Sequence, residues 1–590
     1  MRFPYGVSDF HTIASDGLFY IDRTDRIALI EQTGYQLLLL RPRRFGKSLW
    51  LSTLENYYDL ARAAEFEKLF GHLKIGQNPT PKHNCYFVMK WNFSLVDPQG
   101  DFSDIRQAIH RHLNGCIEEF IVRYQDRLAH PIEIHPTDGL RSFHSVLAAV
   151  RQSSHKLYLL VDEYDNFANE VMASHPLGEG RYQTLVNGEG VIKTVFKAVK
   201  DAAEGRGLDR VFMTGISPVV LADITSGYNV VKDISLSPEY ADLCGFHEDE
   251  IRATLKHIIA GCKLPPVKAD EALDLMRTFY NGYNFCREKA RGEIYNPTLA
   301  LYFFEHLATH CQYPTKMLDS NLAMDRNRIQ YVARLPHGQQ LVTDALNPER
   351  PIAISELSDR FGVEMMLNTP KNHDFLASLL YYFGVLTYAG RNEMGEILLK
   401  VPNLVVQKLY VERIQEALLP GFEVDEERQV VAKRFYTTGD LAPLCDFIEQ
   451  RFFRVFDNRD ARWSNELVVK TAFLTSLFND TAYIMDSETA IDKGYADLTL
   501  IVRPDMRQYT LLDHLLEFKH VGLKALGLSS ERVMAMSREE LAALPLVQAQ
   551  LTAARIQLAQ YRETLERVYG GLLKLRTQAV VSLGLIRLVW

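Results

Sequence analysis

The clearest pattern in the chain is a set of short apolar runs, each closed by polar residues at one end. Leu37-Leu38-Leu39-Leu40 is the first and leads straight into Arg41-Pro42-Arg43-Arg44-Phe45-Gly46-Lys47-Ser48-Leu49. Runs of this length without polar alternation suit strands covered on both faces and are too short to cross a membrane. Similar strands are expected at about Cys85–Phe93, from Lys156 to an end at Asp162-Glu163 and at Asp209–Gly215. Helical periodicity precedes the first of them at about Asp25–Gln32 and lies between the others, from Ser48 to about Tyr58, at Phe102–Arg127 and at Gly139–Ser153. Strands alternating with helices predict an α/β fold with a parallel sheet and right-handed crossovers, its ligand at the strand C-termini.

The pattern then changes. Residues 240–320 read as helices interrupted by Gly-Tyr and Asn-Pro turns. Residues 325–400 mix helices with a hairpin around Gly384–Val401, turning at Asn392-Glu393-Met394-Gly395. Ile354–Phe361, the helices after it and this hairpin suit a winged-helix module that either touches DNA or only packs. Val401-Pro402-Asn403 marks a boundary. Beyond it, a helix over Trp463–Phe478 is followed by strands at Tyr483–Ile491, Gly494–Val502 and Tyr509–His520. A helix at about Leu546–Val568 and a final strand at Gln578–Trp590 complete an α-β-β-β-α-β order. The expected units are residues 1–240, 241–325, 326–400 and 401–590.

Composition bounds these units without identifying them. The 590 residues suggest roughly three or four domains at ~150 residues each. The net charge of −8 gives no global preference for nucleic acid, so any such surface must be local. Seven scattered cysteines without a C-x-x-C pair suit buried thiols in a reducing compartment better than disulfides or zinc. With no apolar leader segment and no long apolar run, a cytoplasmic, membrane-free protein is expected.

The chemistry begins at the first strand. Gly46-Lys47-Ser48 is the end of a P-loop, whose backbone N–H groups and following helix N-terminus face phosphates. Lys47 would reach the β/γ-phosphates of ATP and the Ser48 hydroxyl would take Mg²⁺. A basic surface turn is the alternative, since Arg41 stands where the pattern has its first glycine. The strand ending in Asp162-Glu163 supplies the complement: Asp162 for the Mg²⁺ shell, Glu163 to orient or deprotonate the attacking water. Thr214 is either a γ-phosphate sensor or a capping threonine. Tyr280, Tyr283 and Phe285 could be a base-stacking platform but read better as core.

Arg41-Pro42-Arg43-Arg44-Phe45-Gly46-Lys47-Ser48-Leu49 together with Asp162-Glu163-Tyr164-Asp165 resembles the prokaryotic AAA-ATPase-like family. Thr214-Gly215, Leu243-Cys244-Gly245-Phe246 with Glu250, Tyr280-Asn281-Gly282-Tyr283 with Phe285, and Tyr295-Asn296-Pro297 extend the resemblance over most of residues 1–310. The arginine-rich loop belongs to that family's pattern. The resemblance implies a P-loop ATPase with a helical lid, joined to a C-terminal PD-(D/E)xK nuclease-like domain. It also implies that Arg41, Arg43, Arg44, Phe45 and Leu49 belong to the nucleotide loop.

In the C-terminal region Glu517 and Lys519, two apart on a strand, point to one face. With Asp497 on the antiparallel neighbour, two carboxylates could hold Mg²⁺ or Mn²⁺. Lys519 would orient water or hold charge, Glu466 would add a ligand, and Gln557 and Tyr561 share a helix face. A surface salt bridge beside an unrelated aspartate is the alternative. Gly494-Tyr495-Ala496-Asp497 and Glu517-Phe518-Lys519 resemble the two motifs of the PD-(D/E)xK nuclease core. The resemblance implies metal-dependent cleavage of nucleic acid, DNA first, in defence against foreign DNA or control of mobile elements. An ATP-switched signalling or interaction protein, binding without cutting, is the alternative. Arg41, Arg43 and Arg44 would serve phosphate charge or contacts in a homo-oligomer.

Overall fold

The computed structural model describes residues 1–97, 101–166, 190–218, 230–286, 292–318, 338–346, 351–358, 372–419, 421–456, 466–486, 489–491 and 494–590, with Ile329 and Val332. The N-terminal sheet consists of β1 (Gln36–Leu40), β2 (Tyr86–Asn92), β3 (Lys156–Asp162), β4 (Leu208–Gly215) and the short β5 (Lys232–Asp233). All neighbours pair in parallel, in the order β2-β3-β4-β1-β5. Leu37–Leu40 and Leu157–Val161 are buried throughout, so a strand flanked on both faces needs no polar alternation. The covering helices are α1 (Arg26–Thr33), α2 (Lys47–Tyr58), α3 (Phe102–Tyr124), α4 (Gly139–Arg151) and α5 (Val191–Ala203).

The register decides where a ligand can sit. Leu40 pairs with Gly215, and Val161 with Met213. The C-terminal ends of β1, β4 and β3 therefore lie side by side at one sheet edge. β4 separates the P-loop strand from the Asp-Glu strand, which places Thr214 between them.

Three helices follow, α6 (Glu248–Gly261), α7 (Val267–Tyr280) and α8 (Pro297–His310). Asn296 caps α8 through its side chain and Pro297 opens it, as an Asn-Pro helix start requires. Tyr280, Tyr283 and Phe285 are buried, with Phe45 packed edge-on against both Tyr283 and Phe285. They are core. The cysteine expectation fails here: Cys262 and Cys311 form a disulfide across Cα atoms 5.6 Å apart. Each directly follows a helix, α6 or α8, and only the packing of those helices brings residues 49 apart in sequence together.

The middle contains α9 (Gly338–Asp344), β6 (Ile352–Ile354), α10 (His373–Tyr382), β7 (Thr387–Arg391) and β8 (Ile397–Lys400). The hairpin pairs antiparallel, and β6 joins it in the order β6-β8-β7. Most of the expected segment between Ile354 and α10 lies outside the described residues. Every residue from Phe375 to Tyr382 is buried, so α10 packs rather than offering a face. The loop after it presses on the P-loop: a Cβ on Gly384, at φ 78°, would meet Pro42 at 2.5 Å.

Val401-Pro402-Asn403 also packs: the Asn403 amide donates to the Asn281 carbonyl at 2.7 Å. The next helix, α11 (Leu404–Leu418), touches α7 and α12 (Glu466–Leu477). One apolar core runs from the N-terminal sheet through α11 to the C-terminal sheet. That sheet holds β9 (Tyr483–Asp486), β12 (Leu498–Val502), β13 (Asp513–Val521), β14 (Leu575–Leu583) and β15 (Arg587–Val589), while β10 (Thr489–Ile491) and β11 (Gly494–Ala496) make a separate hairpin. Its order is β15-β14-β13-β12-β9, with β13 and β14 parallel and the other neighbours antiparallel. The expected final strand is two strands turning at Gly584, whose φ is 58°. Helix α13 (Pro545–Tyr569) covers β13 and β14 with a second apolar cluster. The first residues of the helix expected from Trp463 lie outside the described residues.

Candidate functional site

At the first sheet edge, β1 ends at Leu40 and the loop closes on Gly46, left-handed at φ 89°, before α2 begins with Lys47. Lys47 is buried, and its ammonium donates to the Arg41 and Pro42 carbonyls, each at 2.9 Å. Burial lowers its pKa, opposed by the charges of Glu163 and Asp162. A lysine held by its own loop is ready to exchange those carbonyls for phosphate oxygens. A cavity of about 350 Å³ opens here, lined by Arg44, Phe45, Lys47, Ser48, Leu49 and Glu163 among others. Tyr20 from the N-terminal segment and Phe246 from the approach to α6 form part of its wall.

Asp162 is buried at the end of β3 and accepts the Thr214 hydroxyl at 2.6 Å. Thr214 thus orients the Asp162 carboxylate. Glu163 adopts φ 50°, a conformation that L residues rarely take. Burial raises its pKa, and the nearby Lys47 charge opposes that rise. Asp165 accepts from the Ile216 and Ser217 amides and the Ser217 hydroxyl, at 3.1, 2.8 and 2.9 Å. It ties the loop after β3 to the loop after β4.

The arginines divide. Arg41 is turned into the protein, donating to the Leu40, Ser235 and Tyr240 carbonyls at 2.7, 2.7 and 2.8 Å and stacking on Phe285 at 4.4 Å. This corrects the expectation that it joins the phosphate loop: a guanidinium carries the fixed, many-donor geometry that ties three carbonyls. Arg43 donates to Asn166 at 2.9 Å, next to the acidic strand end, and Arg44 lines the cavity.

The second edge lies in the C-terminal sheet. Leu498 pairs with Leu516 in the antiparallel β12–β13 ladder, so Asp497 falls opposite Glu517. Asp497 accepts the Phe518 amide at 2.6 Å and meets the Lys470 ammonium at 2.5 Å. Lys519 donates to one Glu517 oxygen at 2.7 Å, and the other, Oε2, is buried without a hydrogen-bond partner. Burial, then the charge of Asp497, pushes the Glu517 pKa up to about 7. Tyr561 on α13 is largely buried and hydrogen-bonded to Gln557. Burial raises its pKa, and the carboxylates of Glu517 and Asp497 add to that rise.

Among the described residues no three His, Cys, Asp or Glu side chains are arranged to hold a metal. Glu466, expected as a ligand, lies 3.7 Å from the Lys470 ammonium. The Asp497–Glu517 pair still fits Mg²⁺ or Mn²⁺, since such ions often take only one or two carboxylates and keep waters. The orphaned Glu517 oxygen is the atom such an ion would satisfy.

Residues 4–225 match the model of a family described as predicted AAA-ATPase. An uncharacterized protein of the vnfD 5′ region of Azotobacter chroococcum mcd 1 is 29% identical over 311 residues, which are 52% of this chain and 52% of that protein. The chain thus spans about half the length of the curated relative it matches. Among solved structures, a Walker-type ATPase of Pyrococcus abyssi aligns over 66% of this chain and 96% of its own, at 15% identity and a TM-score of 0.36. The Orc1 protein of Aeropyrum pernix, solved in complex with DNA, aligns over 68% and 95%, at 13% identity and a TM-score of 0.24. The family match and the five-stranded parallel sheet make the N-terminal region P-loop ATPase-like, with ATP as the implied ligand. Among the described residues no helix is long and apolar enough to cross a membrane.

Two side chains of these edges were given no role from sequence. Asp165 had its signal in the motif itself, an acid two residues beyond Glu163. Lys470 had a weaker one, its i,i+4 spacing from Glu466, which puts both on one helix face.

Proposed function

We propose that this chain binds and hydrolyses ATP at its N-terminal sheet edge and cleaves nucleic acid, DNA first, by a divalent-metal-dependent reaction at its C-terminal edge. In the first site Lys47 and the α2 N-terminus meet the phosphates, with Arg43 and Arg44 on the flank. Ser48 and Asp162 would hold Mg²⁺, Thr214 fixes Asp162, and Glu163 orients the attacking water. In the second, Asp497 and Glu517 would hold Mg²⁺ or Mn²⁺, which supplies Lewis acidity and a water of lowered pKa. Lys519 steadies Glu517 and developing charge, while Gln557 and Tyr561 border the pair. The observation that carries the cleavage reading is the buried, unpartnered Glu517 oxygen facing Asp497, a costly arrangement unless a ligand completes it. A role in defence or mobile-element control rests on the family resemblance alone, and a cytoplasmic location on the sequence pattern.

A second reading has its own support. Both carboxylates already meet lysines, which suits a fold that binds without cutting. The full chain, purified and incubated with plasmid, linear DNA and RNA in Mg²⁺ or Mn²⁺, with and without ATP, separates the two. Metal-dependent cleavage lost in Asp497→Ala supports the enzyme. ATP turnover without cleavage of any of these substrates favours the ATP-switched interaction protein.

A further inference from the structure

Lys470 has no role in the proposed cleavage, yet it makes the shortest ion pair of the C-terminal edge with either carboxylate. It reaches Asp497 from α12, a different element from the strands that carry the acids, and its side chain is only 11% exposed. Two acids thus stand with two lysines, each acid holding one: Asp497 with Lys470, Glu517 with Lys519. The two lysines are not equivalent. Lys519 leaves Glu517 Oε2 without a hydrogen-bond partner, whereas both Asp497 oxygens are engaged, one by Lys470 and one by the Phe518 amide. A divalent ion held between the two acids must therefore contend with Lys470. A second acid lies within reach of the displaced ammonium: Glu466, one turn back on the same helix, already stands 3.7 Å away.

Resting on the reading of Asp497 and Glu517 as a metal pair, we propose that Lys470 is the internal counter-cation of Asp497. It balances the carboxylate when no metal is bound and moves toward Glu466 when one binds, so it sets the metal affinity of the pair. The arrangement keeps Asp497 charged and hydrogen-bonded in the metal-free chain, where a buried carboxylate without a partner would destabilise the sheet. It also weakens metal binding by the ion pair that must be broken. Lys470 is by this account a positioning residue, acting through Asp497.

The test uses the full, nucleotide-free chain and Mn²⁺ as probe, with affinity read by titration calorimetry and stability by thermal melting. Asp497→Ala identifies the site. Lys470→Met, which keeps the length of the side chain and loses its charge, should bind Mn²⁺ roughly tenfold tighter than wild type, the scale of one partly buried ion pair. In chelator Lys470→Met should melt below wild type, and saturating Mn²⁺ should close that gap, because the metal replaces the missing cation. Lys470→Arg keeps the charge and should stay near wild type in both measurements. A wild-type site with unchanged affinity in Lys470→Met, and a melting deficit that Mn²⁺ leaves in place, would overturn the proposal and make Lys470 a structural residue. A wild-type chain with no Mn²⁺ site sensitive to Asp497→Ala removes the metal reading itself, and this inference with it.

Discussion

The two sheet edges hold similar side chains in opposite states. At the N-terminal edge the lysine rests on backbone carbonyls, and the strand-end acid is held by a neutral hydroxyl. At the C-terminal edge the lysines rest on the acids. Carbonyls are weak partners for an ammonium, so Lys47 yields readily to an anion such as phosphate. Carboxylates paired with ammonium groups yield instead to a competing cation. On the proposed reading, the first edge suits a negatively charged ligand and the second a positively charged one. Their construction differs as well. The parallel edge gathers residues more than 110 positions apart, through successive crossovers. The antiparallel edge brings Asp497 and Glu517 together within one ladder.

The largest expected effects cross these sites. Glu163→Gln should lower ATP hydrolysis by about 10²–10⁴-fold, the range of a lost general base, while nucleotide still binds. Lys47→Ala should weaken nucleotide binding, because the phosphates lose their cation. Asp497→Ala and Glu517→Ala should each abolish metal-dependent cleavage and leave ATP hydrolysis near wild type. Steady-state ATP turnover, nucleotide binding and cleavage, measured on all four variants, give the matrix. Wild-type hydrolysis in Glu163→Gln would break the assignment of that residue, and loss of ATP turnover in Asp497→Ala would break the separation of the edges.

A smaller effect concerns how the edges communicate. The loop at Gly384 abuts Pro42 of the P-loop, and α11 packs beside it and continues to α12, where the Gln415 amide donates to the Thr475 carbonyl at 2.7 Å. Glu466 and Lys470 stand on that same helix. Packed contact makes coupling physically available, and coupling between sites typically amounts to ~1–3 kcal/mol, or roughly 5–150-fold in rate. Cleavage with no nucleotide, ADP, ATP and a non-hydrolysable analogue should differ on that scale, with magnesium kept in excess of nucleotide. The differences should vanish in Lys47→Ala. Equal rates in all four states, with nucleotide binding confirmed, would make the edges independent.

Much of this architecture was legible because the decisive signals are local. Leu37–Leu40 and Leu157–Val161 announce covered strands by their lack of alternation, and Asp162-Glu163 announces a strand end. The antiparallel meeting of Asp497 and Glu517 followed from two strands and a short turn. What escaped depends on helices meeting at a distance. Nothing near Cys262 points to Cys311 until α6 and α8 are packed together. Arg41 reads as a phosphate ligand by position in its motif, and only the fold supplies the carbonyls of Ser235 and Tyr240 that turn it inward. Thr214 was read at this strand end, but its contact with Asp162 comes only from the fold, because sequence shows strand ends but not which side chain they face.

The smallest expected effect tests charge at the second edge directly, through pH. Burial and the neighbouring Asp497 raise the Glu517 pKa to about 7, against an ordinary value near 4.5. Between these values the folded chain keeps a proton on Glu517 that the unfolded chain has released. The folded state therefore binds more protons, and its stability from this group must fall as pH rises toward 7 and stay low above it. Lys519 moderates the effect without reversing it, since burial is the dominant cause. Glu517→Gln keeps an oxygen for Lys519 to donate to and removes the titration. In chelator, wild type should lose melting temperature between pH 6 and pH 8 relative to Glu517→Gln, and the variant should be the more stable of the two at pH 8. Using the difference between the two proteins cancels the other groups that titrate in that window. Parallel pH profiles would mean that Glu517 is ionised throughout, with Lys519 outweighing both burial and Asp497.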